Sequence, residues 1–383
     1  MRVLVATTAG AGHFSPLVPF AEACREAGHD VLVAAPQSFA PSVERRNFVF
    51  WPCADTPKDE WAAVMARLPH LSHEEANAVV VGEVFGRLDA RATLPGMLAA
   101  IEEWRPDLIL RENAEFGSYV AAERYGLPQV RVATGLGVFD DWGLPLVVAP
   151  LAELRRSVGL VPDDEGARLR ASPCVTLVPP SMEDPAAPGG PRARFKDPST
   201  TRTRPLPEWW GENRDPLVYV TFGSVAGTMP MFLPVYQAVV AAIAELPVRV
   251  LVTTGEGLEP DSLGPFPDHV HVQQWVPQPD VLREAAAMVC HGGFNTVLGG
   301  LAAGLPMAVV PLFADQPENA GRVAALGAGE VVAPDDAGSV GSLVSRLLAD
   351  ASYRQSARRV AEEIDALPPT SAAVALLERA AAS

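Results

Sequence analysis

Twice along this chain a series of short apolar runs alternates with segments of helical spacing, and no other feature restricts the fold as much. In the first series the runs are RVLVAT at 2–7, DVLVAAP at 30–36, FVFW at 48–51, DLIL at 107–110 and QVRVA at 129–133. A helix is predicted to begin near Pro16 and stop at Gly28, and another to cover 116–126. The second series reads LVYVTFGS at 217–224, a helix to Leu246, VRVLVTT at 248–254, HVHV at 269–272, AMVC at 287–290, a helix, and MAVVP at 307–311. Near-continuous apolar strands separated by helices predict parallel sheets covered on both faces. The expected class is therefore α/β, with two Rossmann-like doubly wound parallel-sheet domains facing a cleft.

A chain of 383 residues suits two domains rather than one core. From 179 to 216 the character changes, with many Pro, the run STTRTRP and then LPEWWGENRDP, as in an exposed connector. The expected division is an N-terminal domain over 1–200, a linker over 201–215 and a C-terminal domain over 216–365. A last helix within 366–383 is expected to pack back on the first domain. The segments 337–349, 353–366 and 369–382 carry apolar residues at helical spacing. The stretch from Asp55 to Arg91 mixes helical signals with Pro and His and shows no clear strand.

Charge narrows the partners. A formal net charge of −16 opposes nucleic acid and anionic membrane, so an anionic ligand must be held by local donors. The four cysteines, Cys24, Cys53, Cys174 and Cys290, stand singly, with no spacing that suggests zinc or a disulfide framework, and read as small buried residues. The opening MRVLVATT lacks a basic region followed by an apolar one, and no apolar run is long enough to cross a bilayer, so the expected location is the cytoplasm.

The densest chemical signal runs from Trp275 to Ala320: WVPQ, a helix, HGGFNT, then AGLPMAVVPLFADQPENA. HGG stands at the mouth of a predicted helix, whose unpaired amides and positive dipole end suit a phosphate. In open parallel sheets ligands sit at the carboxyl ends of the strands, and a Gly-rich loop follows the first strand of each half. GAGHFS at 10–15 nearly spells the dinucleotide fingerprint, but Ser15 replaces the third Gly and AAPQSF offers no acidic residue after the second strand.

Those motifs resemble the GT-B glycosyltransferases of family 1, especially the actinobacterial enzymes that glycosylate antibiotics and other natural products. The resemblance is carried by WVPQ (275–278), HGGFNT (291–296), AGLP (303–306) and PLFADQPEN (311–319) in order and spacing, supported by GHFSPLVPFAEACREAGHDV (12–31) and TFGS (221–224). It implies inverting transfer of a sugar from a nucleoside-diphosphate sugar, a co-substrate rather than a cofactor, to a small hydrophobic hydroxylated acceptor. Trp275 would stack on the base, with Val276 and Gln278 near the nucleoside. His291, Gly292, Gly293, Asn295 and Thr296 would meet the diphosphate, and Ser224 would close over it. Asp315 and Gln316 would hold sugar hydroxyls, since a carboxylate accepts where an amide can also donate.

By the same resemblance His13 is the candidate general base and Glu112 the carboxylate that orients it, with Glu115 three residues on competing for that role. An acceptor alcohol needs a base whose pKa lies near the working pH, and a carboxylate on the other ring nitrogen stabilises the imidazolium. Phe14, Phe85, Phe116 and Phe139 are candidates to line the acceptor site, and His29, His70, His73, His269 and His271 are assigned no chemistry. No DxD motif occurs, so no metal is expected. Where plant members place a ribose-holding Glu, this chain has Gly299, which favours a dTDP-sugar over a UDP-sugar, while the intact Asp315-Gln316 pair suits a sugar richer in hydroxyls. Alternatives are C-glycosylation by the same family, a sugar-nucleotide epimerase and an inactive accessory protein, and the expected state is a monomer or homodimer.

Overall fold

A computed structural model describes residues 1–187, 189–201 and 203–382. Arg202, in the expected linker, and Ser383, at the end of the tail, lie outside the described residues. The chain divides into two compact units.

The first unit comprises 1–178, 183–197 and 368–383. Its sheet has seven parallel strands: β1 (Arg2–Ala6), β2 (Asp30–Pro36), β3 (Val49–Cys53), β4 (Leu108–Glu112), β5 (Gln129–Val132), β6 (Cys174–Thr176) and β7 (Ala193–Arg194), in the order β3-β2-β1-β4-β5-β6-β7. Side chains of a strand alternate between faces, and here both faces are dry. Val3 and Val5 of β1 join one core with Leu108, Leu110, Phe20 and Val33. Leu4 and Ala6 join the other with Ile109, Met97, Val120 and Leu32. The first core is closed by the C-terminal helix Val374–Ala381, which contributes Leu377.

The second unit comprises 179–182 and 198–367. Six parallel strands, β8 (Leu217–Thr221), β9 (Arg249–Thr253), β10 (Val270–Gln273), β11 (Ala285–Cys290), β12 (Met307–Val309) and β13 (Gly329–Val331), run in the order β10-β9-β8-β11-β12-β13. One face is packed by Val218, Val220, Val250 and Val289 against Tyr236, Val240 and Ile243 of the helix Leu233–Ala244. On the other face the helix Phe294–Ala302 approaches so closely that a Cβ at Gly300 would lie 2.5 Å from Met288 Cε.

These two sheets are the α/β architecture that the apolar alternation predicts. The stretch without a clear strand forms the helices Lys58–Met65 and His73–Val79, then a ten-residue π-helical segment, Val80–Asp89, that runs straight into the helix Ala90–Trp104. A Ser72–Glu75 capping box starts the second of these helices. The four cysteines are buried and free, and burial pushes the Cys24 and Cys290 thiols up to about 12. Among the described residues no helix is long and apolar enough to cross a membrane.

Candidate active site

Both sheets reverse their winding in the middle. The chain leaves β1 toward β2 on one side while β4 leads to β5 on the other, and β8 and β11 repeat the arrangement. The crevice at the carboxyl ends of two such neighbouring strands is where open α/β sheets take ligands. Each unit presents candidate residues at that point.

In the first unit, the turn after β1 leads into the short helix Ala11–Phe14, which carries His13. Gly10 leaves room for the ring, since a Cβ there would stand 3.1 Å from His13 Cδ2. Nδ1 of His13 lies 3.2 Å from Oε2 of Glu112, the last residue of β4. The His13 side chain is 27% exposed and that of Glu112 wholly buried. Burial by itself would raise the Glu112 pKa. The His13 charge and hydrogen bond, with amides donated by Ala114 and Thr8, outweigh it and hold the carboxyl below the ordinary carboxylate range.

Glu115 is committed elsewhere. Its carboxylate accepts from the amides of Gly117 and Ser118, both at 2.9 Å, and from the Thr93 hydroxyl, so it caps the helix Gly117–Tyr125. Burial pushes its pKa up. Of the aromatic candidates, the half-buried Phe85 presents itself edge-on to His13 with ring centroids 5.1 Å apart. Phe139 is half-buried beside Trp142. Phe14 lies in the core against Phe39 and Phe48, and Phe116 in the core on the other face of the sheet.

In the second unit, the turns after β8 and β11 meet over an imidazole. His291 is buried, and a Cβ at Gly293 would lie 2.3 Å, and one at Gly223 2.8 Å, from its Nε2. Gly292 adopts φ +84°, and a Cβ there would lie 2.8 Å from the Gln316 carbonyl oxygen. All three glycines are thus demanded by close approach. Burial, opposed by a backbone hydrogen bond to Thr221, takes the His291 pKa down to about 4, so the ring is neutral at neutral pH. Gly293 begins the helix Phe294–Ala302, and no side chain caps that end. Asn295 and Thr296 lie half-buried in its first turn, and Ser224 is exposed on the loop after β8.

Trp275 is 72% exposed, an unusual position for a ring of that size. Val276 is half-buried beside it, and the Gln278 side chain lies over Gly299, 3.3 Å from where a Cβ would be. Asp315 precedes the helix Gln316–Ala325 and follows Ala314, which holds a left-handed φ of +57°. Gln316 is buried, and its Oε1 accepts the amides of Leu312 at 2.7 Å and Phe313 at 3.0 Å. Its carbonyl lone pairs are therefore spent, which leaves the amide nitrogen to donate.

Two residues beside these sites went unnoticed in the sequence. Asp89 ends the π-helical segment, accepts a hydrogen bond from the Thr56 hydroxyl, and has its pKa pushed up by burial, with the charges of His13 and Glu112 both acting on it. Asn319 donates to Gly292 and Asp315. Its position four residues after Asp315 was a usable helical signal, whereas nothing marks Asp89 before the backbone is known. Among the described residues no group of three or more His, Cys, Asp or Glu side chains is arranged to hold a metal ion.

Known proteins carry the same architecture. Residues 191–365 match the family described as UDP-glucoronosyl and UDP-glucosyl transferase, and residues 22–143 match the erythromycin biosynthesis protein CIII-like N-terminal domain. The elloramycin glycosyltransferase ElmGT of Streptomyces olivaceus is 31% identical over 99% of this chain and 97% of its own length. The L-demethylnoviosyl transferase of Streptomyces niveus is 29% identical over 98% and 97%. Among solved structures, the glycosyltransferase SsfS6 of Streptomyces sp. SF2575, complexed with thymidine diphosphate, superposes with a TM-score of 0.77 at 28% identity over 99% of both chains. The fold and these relatives define a GT-B glycosyltransferase. The chain belongs to the actinobacterial family of glycosyltransferases that serve antibiotic pathways and draw on nucleoside-diphosphate sugars.

Proposed function

We propose that this protein is an inverting O-glycosyltransferase that moves a sugar from a dTDP-sugar to a hydroxyl of a small hydrophobic natural product, with His13 as general base. The observation that carries this reading is the His13–Glu112 pair at the switch point of the first sheet. A buried, ionised carboxylate on Nδ1 fixes the ring and favours its protonated form, which leaves Nε2 to receive the acceptor proton. As that proton moves to Nε2, the acceptor oxygen bonds to the anomeric carbon from the face opposite the leaving group. The bond from that carbon to the phosphate oxygen breaks, and its electron pair departs with the nucleoside diphosphate. One displacement of this kind inverts the anomeric configuration.

The charge released on the diphosphate is met, in this reading, by the amides at the start of Phe294–Ala302, with the neutral His291 ring packed beside them. Backbone amides at a helix start serve an anion without a bridging cation, which supports a metal-independent reaction. Trp275 stacks on the base. Asp315 and the Gln316 amide divide the sugar hydroxyls between an acceptor and a donor. The preference for dTDP over UDP is supported by Gly299, which offers no side-chain acceptor for a ribose hydroxyl, and by the thymidine diphosphate bound in SsfS6. A cytoplasmic location and a monomeric or dimeric state belong to the same proposal.

Thermal unfolding in the presence of dTDP, UDP, GDP and NAD tests the donor assignment, because a ligand held only by the folded state raises the melting temperature. The largest rise is expected with dTDP. A rise with NAD alone would overturn the assignment.

A further inference from the structure

We propose that Asn319 is a positioning residue that couples the turn gripping the diphosphate to the carboxylate reading the sugar. The inference rests on the donor-site reading given above. Asn319 is wholly buried in the helix Gln316–Ala325. Its Nδ2 carries two hydrogens and has two partners. One is the Gly292 carbonyl at 2.9 Å, and the other is Asp315 Oδ2 at 2.8 Å. A single amide therefore ties the middle of the His291-Gly292-Gly293 turn to the acid expected to hold a sugar hydroxyl.

Both ends of this bridge sit in backbone that has little freedom to drift. Gly292 is left-handed and pressed against the Gln316 carbonyl. Asp315 follows Ala314 at φ +57°, a conformation that a non-glycine residue keeps only when its surroundings over-determine it. The Gln316 oxygen clamps the Leu312 and Phe313 amides of the same turn. The choice of residue follows from the donor inventory. An aspartate at 319 would set a third acceptor against a carbonyl and a carboxylate, and a leucine would take this donor away from both. A change at residue 315 should consequently be felt by a ligand that carries no sugar.

The test is calorimetric titration with dTDP of the wild-type chain, Asp315→Asn and Asp315→Leu. Both substitutions remove the same charge from a half-buried turn, but only Asp315→Asn keeps a side-chain oxygen that can accept from Asn319. Asp315→Asn is expected to bind dTDP within about twofold of wild type and Asp315→Leu about five- to tenfold more weakly, as losing one hydrogen-bond acceptor implies. In the Asp315→Leu background, Asn319→Ala should cost less than it does in the wild type, because one of the two bonds of the bridge is already broken. Equal affinity of Asp315→Leu and wild type overturns the proposal, whether or not Asn319→Ala folds, and so does an additive loss in the double variant. A wild-type chain that binds neither dTDP nor UDP overturns the donor reading together with the bridge. Wild-type binding with an unaffected Asp315→Leu overturns the bridge alone.

Discussion

The ring of His291 fills the space that a side chain at Gly293 would need: a Cβ there would stand 2.3 Å from Nε2. Imidazole and glycine are therefore one device, in which the turn after β11 gives up a side chain so that a ring can lie beside an uncapped helix start.

Gly293→Ala follows from that contact. Moving a fully packed ring costs about 1–3 kcal/mol, and the loss should fall on the nucleotide, with dTDP affinity reduced by about tenfold or more. Calorimetry reads it. Wild-type affinity in a folded variant would mean that the His291 ring does not face the diphosphate.

The protonation of His291 gives a second expectation. Its folded pKa of about 4 lies below the ordinary histidine value of 6.5, so the unfolded chain binds more protons between those values. Stability contributed by this group is therefore present above 6.5 and is lost as pH falls toward 4. Because the ring is neutral at neutral pH, dTDP affinity should not decline as the medium is made mildly alkaline. A decline there that disappears in His291→Gln would show that a cationic imidazole holds the phosphates.

Glu112→Gln keeps the size of the side chain and removes its charge. The folded pKa of Glu112 is depressed, so the stability it contributes is present above its unfolded pKa and is lost as pH falls through the folded value. The gap in urea midpoint between wild type and Glu112→Gln should be widest at neutral pH and close in acid. Transfer should fall by about 10- to 1000-fold, since the imidazolium loses its partner. A gap independent of pH would contradict the ionised, buried carboxylate.

Gln316→Glu tests the division of labour at the sugar. The new carboxylate can still accept the Leu312 and Phe313 amides but cannot donate, so the melting temperature should hold while kcat/KM drops by about tenfold or more. Unchanged kcat/KM would remove the Gln316 amide from sugar recognition.

Much of this arrangement was legible because of where the strands run. Residues 3–6 and 108–110 are buried on both sides, and burial on two faces writes itself into sequence as an unbroken apolar run. β6, β7 and β13 went unread because nothing of two or three residues carries a period, and Arg194 and Glu330 also break the apolar character of β7 and β13. The π-helical Val80–Asp89 has no pattern distinct from an ordinary helix, so the approach of Phe85 and Asp89 to His13 is a fact of backbone geometry alone. Motif residues fared better than pocket residues. Glu112 ends a strand, and His13, His291 and Asp315 lie on the turns and helix starts that follow strands, which the topology fixes, whereas which phenylalanine faces the core depends on packing that no spacing encodes.

Metal independence has its own check: transfer rates measured with and without EDTA are expected to agree. A loss with EDTA that magnesium restores would contradict the account of the leaving group.

The central claim is that His13 takes the acceptor proton and has no part in holding the donor. Sugar transfer and dTDP affinity measured side by side in His13→Ala test it most directly. The account predicts that transfer falls by about 100-fold or more while dTDP affinity stays at the wild-type value. Transfer at the wild-type rate would contradict it.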